Sequence, residues 1–574
     1  MTNGVPWRKA FSVTLGLSLL SPLTVWGDEG SPKPMIETWT KKSEVGVDVI
    51  HQATGRPKSW DNPGRISPVL HPGSPRSAGM ANGPLDAMDS FMEQEIQKGI
   101  TPGAVVLIAR RGAVVKVKAY GNAALYSDDQ KTPLETPVPM RKDTIFDLAS
   151  ISKVFTSTAA MKLYEEGKFN LDDPVAKYIP EFAQNGKDKV TIRQLMTHTS
   201  GFEPWIPLWE MGNSREERMQ IVFAHPLKDQ PGSTYTYSDL NMVTLGALVE
   251  KLSGKGLDTY IKEAITGPLG MKDTMYNPPS SLRPRIAATE YQSSPDRGMV
   301  WGSVHDENAW SLGGVAGHAG VFSTARDLAI FAHTMLNGGK YGKTRVLKPE
   351  TVKLMEVNQN QAFPGHDHGL GWELNEHWYM DALADIETMG HTGYTGTALA
   401  VSRKNAAMVI TLTNRVHPTR NTPSINPVRR HIARMAADAI SVPIPGKRGA
   451  WFGGYGDNLN RSLTSEEFPA SESRTLAFET WYRTEAGLDY GSVEGSSDGK
   501  EWTALTSPFT GNSQGWEQQV IKLPEGVKFL RFRYHTDGSG NGRGWYVKAP
   551  RITNAQGKNL CVGWAGDGWE VRKR

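Results

Sequence analysis

Phe146-Asp147-Leu148-Ala149-Ser150-Ile151-Ser152-Lys153-Val154-Phe155-Thr156 is the stretch from which the rest of the chain can be read. It predicts a loop that enters a helix running through Tyr164. Ser150 and Lys153 then stand one turn apart on the same helical face. An ammonium in that position can take or attract the hydroxyl proton. The helix N-terminus adds positive potential for a developing oxyanion, so the pair predicts an activated serine nucleophile. Ser-x-x-Lys alone reads more readily as an N-cap with a solvated lysine, and its meaning as a nucleophile rests on partners further along the chain.

Two partners follow in order. Tyr237-Ser238-Asp239 comes after the turn-rich Gln230-Pro231-Gly232-Ser233, and His391-Thr392-Gly393 precedes the apolar run Ala398-Leu399-Ala400-Val401, which predicts a sheet strand. The triple resembles the serine penicillin-recognising superfamily: class C β-lactamases, low-mass penicillin-binding proteins, D-amino peptidases and related esterases of the family VIII type. Its signatures are Ser-x-x-Lys, Tyr-x-Asn and Lys/His-Thr-Gly. Residues 191–201, 268–271 and 320–328 extend the resemblance over residues 68–440. Val304-His305-Asp306-Glu307-Asn308 with Gly313–Gly320 is most similar to the exported penicillin-binding-protein-like branch.

The resemblance implies an α+β catalytic domain of the β-lactamase/DD-peptidase type, an antiparallel sheet flanked by helices. It also implies Ser150 as nucleophile, Lys153 as its proton partner and Tyr237 as the base that later protonates the leaving group. The oxyanion donors would be the backbone N–H groups of Ser150 and Tyr394, with Thr392, Gly393 and His391 lining the substrate. A phenol titrates near about 10, so Tyr237 can serve as a base at neutral pH only if cations such as Lys153 lower its pKa. Two positions depart from the β-lactamase pattern. Asp239 replaces the amide of Tyr-x-Asn and, when ionised, cannot donate to a substrate carbonyl; Asn241 is the nearby substitute. His391 replaces a fixed cation with a group expected to titrate near about 6.5, which predicts a substrate preference that changes with pH.

The chain has 574 residues with 38% hydrophobic and 22% charged composition and a net charge of +4, values that fit neither a disordered chain nor a dedicated nucleic-acid binder. Cys561 is the single cysteine, so a disulfide scaffold and a cysteine-rich zinc site are ruled out. Arg8-Lys9 followed by an apolar stretch to Trp26 predicts a secretory signal over residues 1–27, with a secreted or periplasmic product that has no stable membrane span. Residues 28–77 read as a loosely ordered lead-in, 78–441 as the catalytic domain, 442–449 as a linker and 450–574 as a β-sandwich. In the catalytic part, Leu85, Met88, Phe91, Met92 and Ile96 predict one helical face, and Gly103–Arg110 and Val114–Tyr120 predict a hairpin.

In the last part, strands are predicted over Thr475–Thr484, Tyr490–Ser496, Glu501–Thr506, Glu517–Leu523, Val527–Tyr534 and Gly544–Val547. Residues 489–502 and 530–546 are similar to the jelly-roll-like domain that ends immune-inhibitor-A-type metallopeptidases, which implies an accessory role, either attachment to a cell-wall, glycan or protein surface or packing against the catalytic part. A boundary at the linker predicts that the catalytic part works without it. Gly495-Ser496-Ser497-Asp498-Gly499 matches a hydrolase elbow but reads as a hairpin turn. His305-Asp306-Glu307 and His366-Asp367-His368 lack metal-ligand spacing and read as loop polar residues, with lining of the substrate cleft as a second use for the first three. Asp489 and Asp537 read as solvated turn acids, with calcium binding as the alternative. The expected protein is a cofactor-free, metal-free serine acyl hydrolase that takes a small-molecule or peptide acyl substrate. D-alanyl peptidase chemistry on peptidoglycan-type peptides leads; a carboxylesterase or weak β-lactamase is the enzymatic alternative, and an inert fold that binds through its sandwich is the non-enzymatic one.

Overall fold

The computed structural model describes residues 64–470 and 474–573, together with the backbone of the short strand Gln52–Ala53. The expected signal over residues 1–27 and most of the lead-in lie outside the described residues. Gly103–Arg110 is a strand buried at every position. Its side chains alternate between two cores: Val105, Leu107 and Ala109 pack with Phe155, Leu328 and Phe331, while Ala104, Val106 and Ile108 pack with Met88, Met92, Ile432 and Ala436. A strand covered on both faces reads as an unbroken apolar run, and that is what this segment shows.

It lies inside an eight-stranded sheet. In spatial order the strands are Glu373–Leu374, Thr388–Thr392, Ala398–Ser402, Ala407–Thr413, Gly103–Arg110, Ala113–Tyr126 and His71–Pro72, with Pro133–Pro139 also paired to Ala113–Tyr126. All pairings are antiparallel except the edge pair of His71–Pro72 with Ala113–Val114. That edge lies within the expected lead-in, yet residues 67–73 are bonded to the Ala113–Tyr126 hairpin, with Ser67 N–H donating to Arg111 O at 2.9 Å. Helices Ser152–Glu165, Asp239–Ser253 and Ala325–Leu336 contribute to the core on one face, and Asn82–Gln97 and Asn426–Ala439 to the core on the other. The predicted α+β catalytic architecture is the one observed.

Residues 450–572 form the rest of two antiparallel sheets. Glu517–Leu523, Arg474–Arg483, Gly544–Thr553, Ala450–Phe452 and Glu570–Arg572 make one, with Gln52–Ala53 at its edge; Thr503–Ala504, Tyr490–Ser496, Phe529–His535, Asn460–Ser465 and Trp564–Asp567 make the other. Leu476, Phe478, Ile521 and Trp545 of the first sheet share a core with Leu463, Val493, Leu530 and Phe532 of the second, so the two pack face to face. Residues 495–499 are the expected turn, in which Asp498 and Gly499 N–H groups donate to Ser496 Oγ at 3.3 and 2.9 Å.

The C-terminal sheets do not hang from a free linker. Phe452, Trp481 and Tyr546 are buried in the same core as Tyr379, Met380, Ile432, Ala436 and Ile440. Arg543 donates to the carbonyls of Ala437 and Ile440, which end the Asn426–Ala439 helix, and Arg572 pairs with Asp438 at 2.6 Å. Arg434, fifteen per cent exposed, pairs at 2.8 Å with the fully buried Asp381 and at 3.2 Å with Asp457. A contiguous apolar core with buried charge pairs at its edge makes the two parts one packed unit, which agrees with the packing role expected for the C-terminal module and not with the independence that the linker suggested.

Candidate active site

The serine turn is held in a conformation that an ordinary residue resists. Ala149, just before Ser150, has a φ of +48°, a left-handed value that costs a non-glycine residue about 1–3 kcal/mol. Asp147 holds it there: its Oδ1 accepts the Ala149 N–H at 2.9 Å and its Oδ2 accepts the His305 N–H at 2.6 Å. Burial pushes the Asp147 carboxyl above its usual pKa, and the two N–H donors oppose that shift. Ser150 then lies in a short 3-10 turn, Ala149–Ile151, that leads into the helix Ser152–Glu165. Ser152 ties the helix start to the next element by accepting the Val321 N–H at 2.9 Å.

Lys153, one per cent exposed, sits at the centre of the site. Its Nζ donates to Ser150 Oγ at 2.8 Å and to His318 O at 3.1 Å, forms an ion pair with Asp239 Oδ1 at 2.8 Å, and stands 4.9 Å from the centroid of the Tyr237 ring. Burial disfavours the ammonium, but Asp239 and then Tyr237 more than offset it, and the Lys153 pKa lies above the ordinary lysine value. Tyr237 is pushed up to about 12, by burial first; Lys153 pulls it down, while Asp239 and Glu373 push it back up. Lys153 thus lowers the tyrosine in the expected direction, but burial and the two carboxylates outweigh it. The carboxylate at the third motif position shares the lysine's charge, a consequence of Asp standing where the family has Asn.

The tyrosine is positioned by a segment that the motif does not include. His198, buried and at a φ of +57°, lies 4.7 Å from the Tyr237 ring, and its Nδ1 accepts the Ser238 N–H at 3.1 Å. Asn241, the expected substitute amide, is fully buried: its Nδ2 lies 3.2 Å from His198 Nδ1 and its Oδ1 accepts from Ser200 Oγ at 2.5 Å. It steadies the Tyr237 loop, and Asp239 is the member of the pair that reaches Lys153.

The third wall is the hairpin of Thr388–Thr392 and Ala398–Ser402. Thr395 Oγ1 donates to Asp147 O at 2.8 Å and Thr397 Oγ1 to Leu148 O at 3.0 Å, so the hairpin clamps the two residues before the serine turn. Gly393 makes the approach possible, since a Cβ there would lie 2.3 Å from Leu148 O and 2.2 Å from Thr397 Oγ1. Arg429 fixes the hairpin end by donating to Gly393 O at 2.7 Å and to Thr397 O at 2.9 Å. Tyr394 is exposed, with Arg415 and Arg420 5.0 and 5.7 Å from its ring centroid. Thr392 is half-buried, whereas His391 is two per cent exposed, with Nδ1 donating to Thr392 O at 2.8 Å. Burial, and after it the charge of Lys153, pulls the His391 pKa down to about 3. The imidazole is thus neutral throughout the physiological range, and the expected titration near neutrality is corrected by its depth in the sheet.

The acidic and histidine residues around the cleft pair with one another. His305 Nε2 bonds Glu290 at 2.9 Å, His318 Nε2 bonds Asp306 at 2.8 Å, and Glu307 pairs with Arg420. Asp239, Asp306 and His318 bring potential metal ligands within 4.8 Å of one another, but Lys153 already faces Asp239 and His318 already faces Asp306. His366 stacks on Tyr235, and His368 Nδ1 donates to Gly369 O at 2.6 Å, so those two do not converge on a metal either. Asp147, His198 and the His318 carbonyl are the site groups that motif reading missed. The stretches containing them, 146–156, 191–201 and 313–320, carried the only signal.

The family described as Beta-lactamase matches residues 88–434. A protein of Escherichia coli (strain K12) named "Putative D-alanyl-D-alanine carboxypeptidase" is 36% identical over 391 residues, which cover 63% of this chain and 89% of that protein. A protein of the same name from Salmonella agona (strain SL483) is 35% identical over 391 residues, with the same coverage of 63% and 89%. Among solved structures, a penicillin-binding protein homologue from Caulobacter crescentus aligns with 63% of this chain and 99% of its own at a TM-score of 0.48 and 20% identity.

Proposed function

Because the chain belongs to the Beta-lactamase family and is a serine acyl hydrolase, we propose that it is an exported D-alanyl-D-alanine carboxypeptidase acting on peptidoglycan-type peptides. The observation that carries this reading is the Lys153 ammonium 2.8 Å from both Ser150 Oγ and Asp239 Oδ1, against the Tyr237 ring. Ser150 Oγ attacks the carbonyl carbon of the penultimate residue while its proton passes to Tyr237. The tetrahedral oxyanion is met by the Ser150 and Tyr394 N–H groups. Tyr237 then returns the proton to the departing amine, the peptide bond breaks, and water later releases the acyl group from Ser150 by the same steps in reverse.

Resting protonation sets the working range. With Tyr237 at about 12 and Lys153 above the ordinary lysine value, the base is protonated at neutral pH, so kcat/KM rises with pH toward the alkaline side. A neutral His391 does not supply the charge for a terminal carboxylate. Arg415, whose bonds go to the neutral oxygens of Tyr394, Arg420 and Thr422, is the cation beside Tyr394 that would meet it.

A carboxylesterase is the second reading, favoured by the same two departures: an anion at Asp239 and an uncharged His391 suit neutral esters better than anionic peptides. The test is wild type and Ser150→Ala assayed in parallel on a D-Ala-D-Ala peptide, a chromogenic ester and a chromogenic cephalosporin. Release of D-alanine by wild type and not by Ser150→Ala supports the proposal. Turnover of the ester alone overturns it in favour of the esterase. Export by the residue 1–27 leader belongs to the same reading, and N-terminal sequencing of the protein recovered from the periplasm tests it.

A further inference from the structure

Three carboxylates meet at one end of the C-terminal sheets, far in sequence from every residue of the site above. Glu485 and Asp489 lie in the connection between Arg474–Arg483 and Tyr490–Ser496, and Asp537 follows the strand Phe529–His535. Each brings an oxygen to within 4.8 Å of those of the other two. Expected as a solvated turn acid, Asp489 is instead fully buried. Its Oδ1 accepts the Asp537 N–H at 3.0 Å, while its Oδ2, like Glu485 Oε2, is buried with no hydrogen-bond partner. A buried carboxylate oxygen left unpaired is costly unless something else meets it.

The surroundings shape the pocket and neutralise it only in part. Thr510 Oγ1 donates to Asp489 O at 2.7 Å and to Glu485 O at 3.2 Å, which holds the 484–489 turn in place. Glu485 closes against Gly540, where a Cβ would lie 2.3 Å from Oε2. Arg430 and Arg434, the cations on the adjoining helix, are paired with Asp457 and Asp381. Those two acids are their ion-pair partners; Arg430, whose Nη1 is buried without a hydrogen-bond partner, also acts on Glu485, so one shared cation faces three carboxylates.

We propose that Glu485, Asp489 and Asp537 form a structural site for a hard divalent cation of the calcium class. An ion about 2.3–2.6 Å from each oxygen spans opposite ligands up to about 5 Å apart, which accommodates the observed cluster. The donor set is all oxygen with no imidazole or thiolate, which selects against zinc and copper. The bound ion ties the 484–489 turn to residues 536–540. Asn458 N–H donates to Asp537 O at 2.5 Å and Asn541 Nδ2 to Asp457 Oδ1 at 2.6 Å, so the same ion braces the loops that pair with Arg430 and Arg434. Its role is to stabilise the packing of the C-terminal sheets on the catalytic part, and it takes no part in the acyl chemistry.

The test uses the full chain, stripped with a chelator and dialysed, as wild type, Asp489→Asn and Glu485→Gln. Calorimetric titration with Ca2+ should show one equivalent bound, with a Kd of about 1 mM or tighter, and saturation should raise the Tm by about 5 °C. Each substitution should weaken binding at least about a hundredfold and remove the Ca2+-dependent rise in Tm. Stripped variants should melt no lower than stripped wild type, since removing one of three like charges relieves repulsion. Small-ester hydrolysis at a temperature below every transition should be the same in all three. No binding and no change in Tm up to about 10 mM Ca2+ would overturn the proposal, as would full-strength binding that survives both substitutions. An equal or larger rise with Mg2+ would overturn the calcium-class assignment.

Discussion

Asp239→Asn changes one atom type at the point where this site departs from its family. In the wild type, Asp239 Oδ1 lies 2.8 Å from Lys153 Nζ. Two unit charges at that separation interact by about 6 kcal/mol at an effective dielectric of 20 and by about 1.5 kcal/mol in water. Lys153 is buried and Asp239 is 19% exposed, so the value falls between those limits. At about 1.4 kcal/mol per pH unit, the carboxylate holds the lysine's proton over a range of about one to four pH units. It also raises the Tyr237 pKa directly. Removing the negative charge lowers both pKa values, since each proton is bound less tightly once the anion is gone. The alkaline rise of kcat/KM on a neutral chromogenic ester, which reports groups of the free enzyme, should move toward neutral pH by at least about one unit. The new amide also regains a donor for a substrate carbonyl, so KM for amide substrates should fall. An unchanged profile, or one displaced toward higher pH, would refute the assignment of Asp239 as the group that keeps Lys153 and Tyr237 protonated.

Wild-type His391, held at about 3, should give no imidazole titration by NMR between about pH 5.5 and 8.5, and the ratio of kcat/KM for anionic and neutral substrates should not follow the charge of that ring across the range. His391→Lys should raise kcat/KM for carboxylate-bearing substrates relative to neutral esters by about tenfold, equal to about 1.4 kcal/mol. Gly393→Ala places a methyl 2.3 Å from Leu148 O; it should lower kcat/KM at least about a hundredfold and cost about 1–3 kcal/mol by calorimetry, and near-normal activity would contradict the tight apposition of hairpin and serine turn. A chain ending at Val442 loses Phe452, Trp481 and Tyr546 from the shared core, and size-exclusion chromatography should show it aggregated; a monodisperse, active product would show that the interface is dispensable.

What was legible in the sequence was what depends on local spacing. The strands Gly103–Arg110, Tyr490–Ser496 and Glu517–Leu523 have the bounds that their patterns predicted, because apolar runs or alternation ended by Gly, Asp or Pro mark strand ends directly. Ser150 and Lys153 fall one turn apart because a helix brings i and i+3 together whatever surrounds it. What was not legible depends on residues distant in the chain. Asp239 meets Lys153 only because their two helices pack together, and no property of Tyr237-Ser238-Asp239 alone reveals an ion pair. The charge state of His391 follows from burial within a sheet covered on both faces, which its three-residue motif does not encode. Ala149 gave no sign of its left-handed φ, since glycine or asparagine would be the usual signal. The short strands Ala450–Phe452, Trp564–Asp567 and Glu570–Arg572 were missed because they are too brief to show a period, and with the first of them went the packed interface.

If Ser150 forms the acyl-enzyme, active-site labelling will find it there. A fluorescent penicillin or a fluorophosphonate should add one label per chain by intact mass, and peptide mapping should place it on Ser150. Ser150→Ala should take no label and show no turnover, while Ser497→Ala, altered in the exposed turn of the C-terminal sheets, should behave as wild type. A label on Ser497 or any other residue, or undiminished labelling of Ser150→Ala, would show that Ser150 is not the nucleophile.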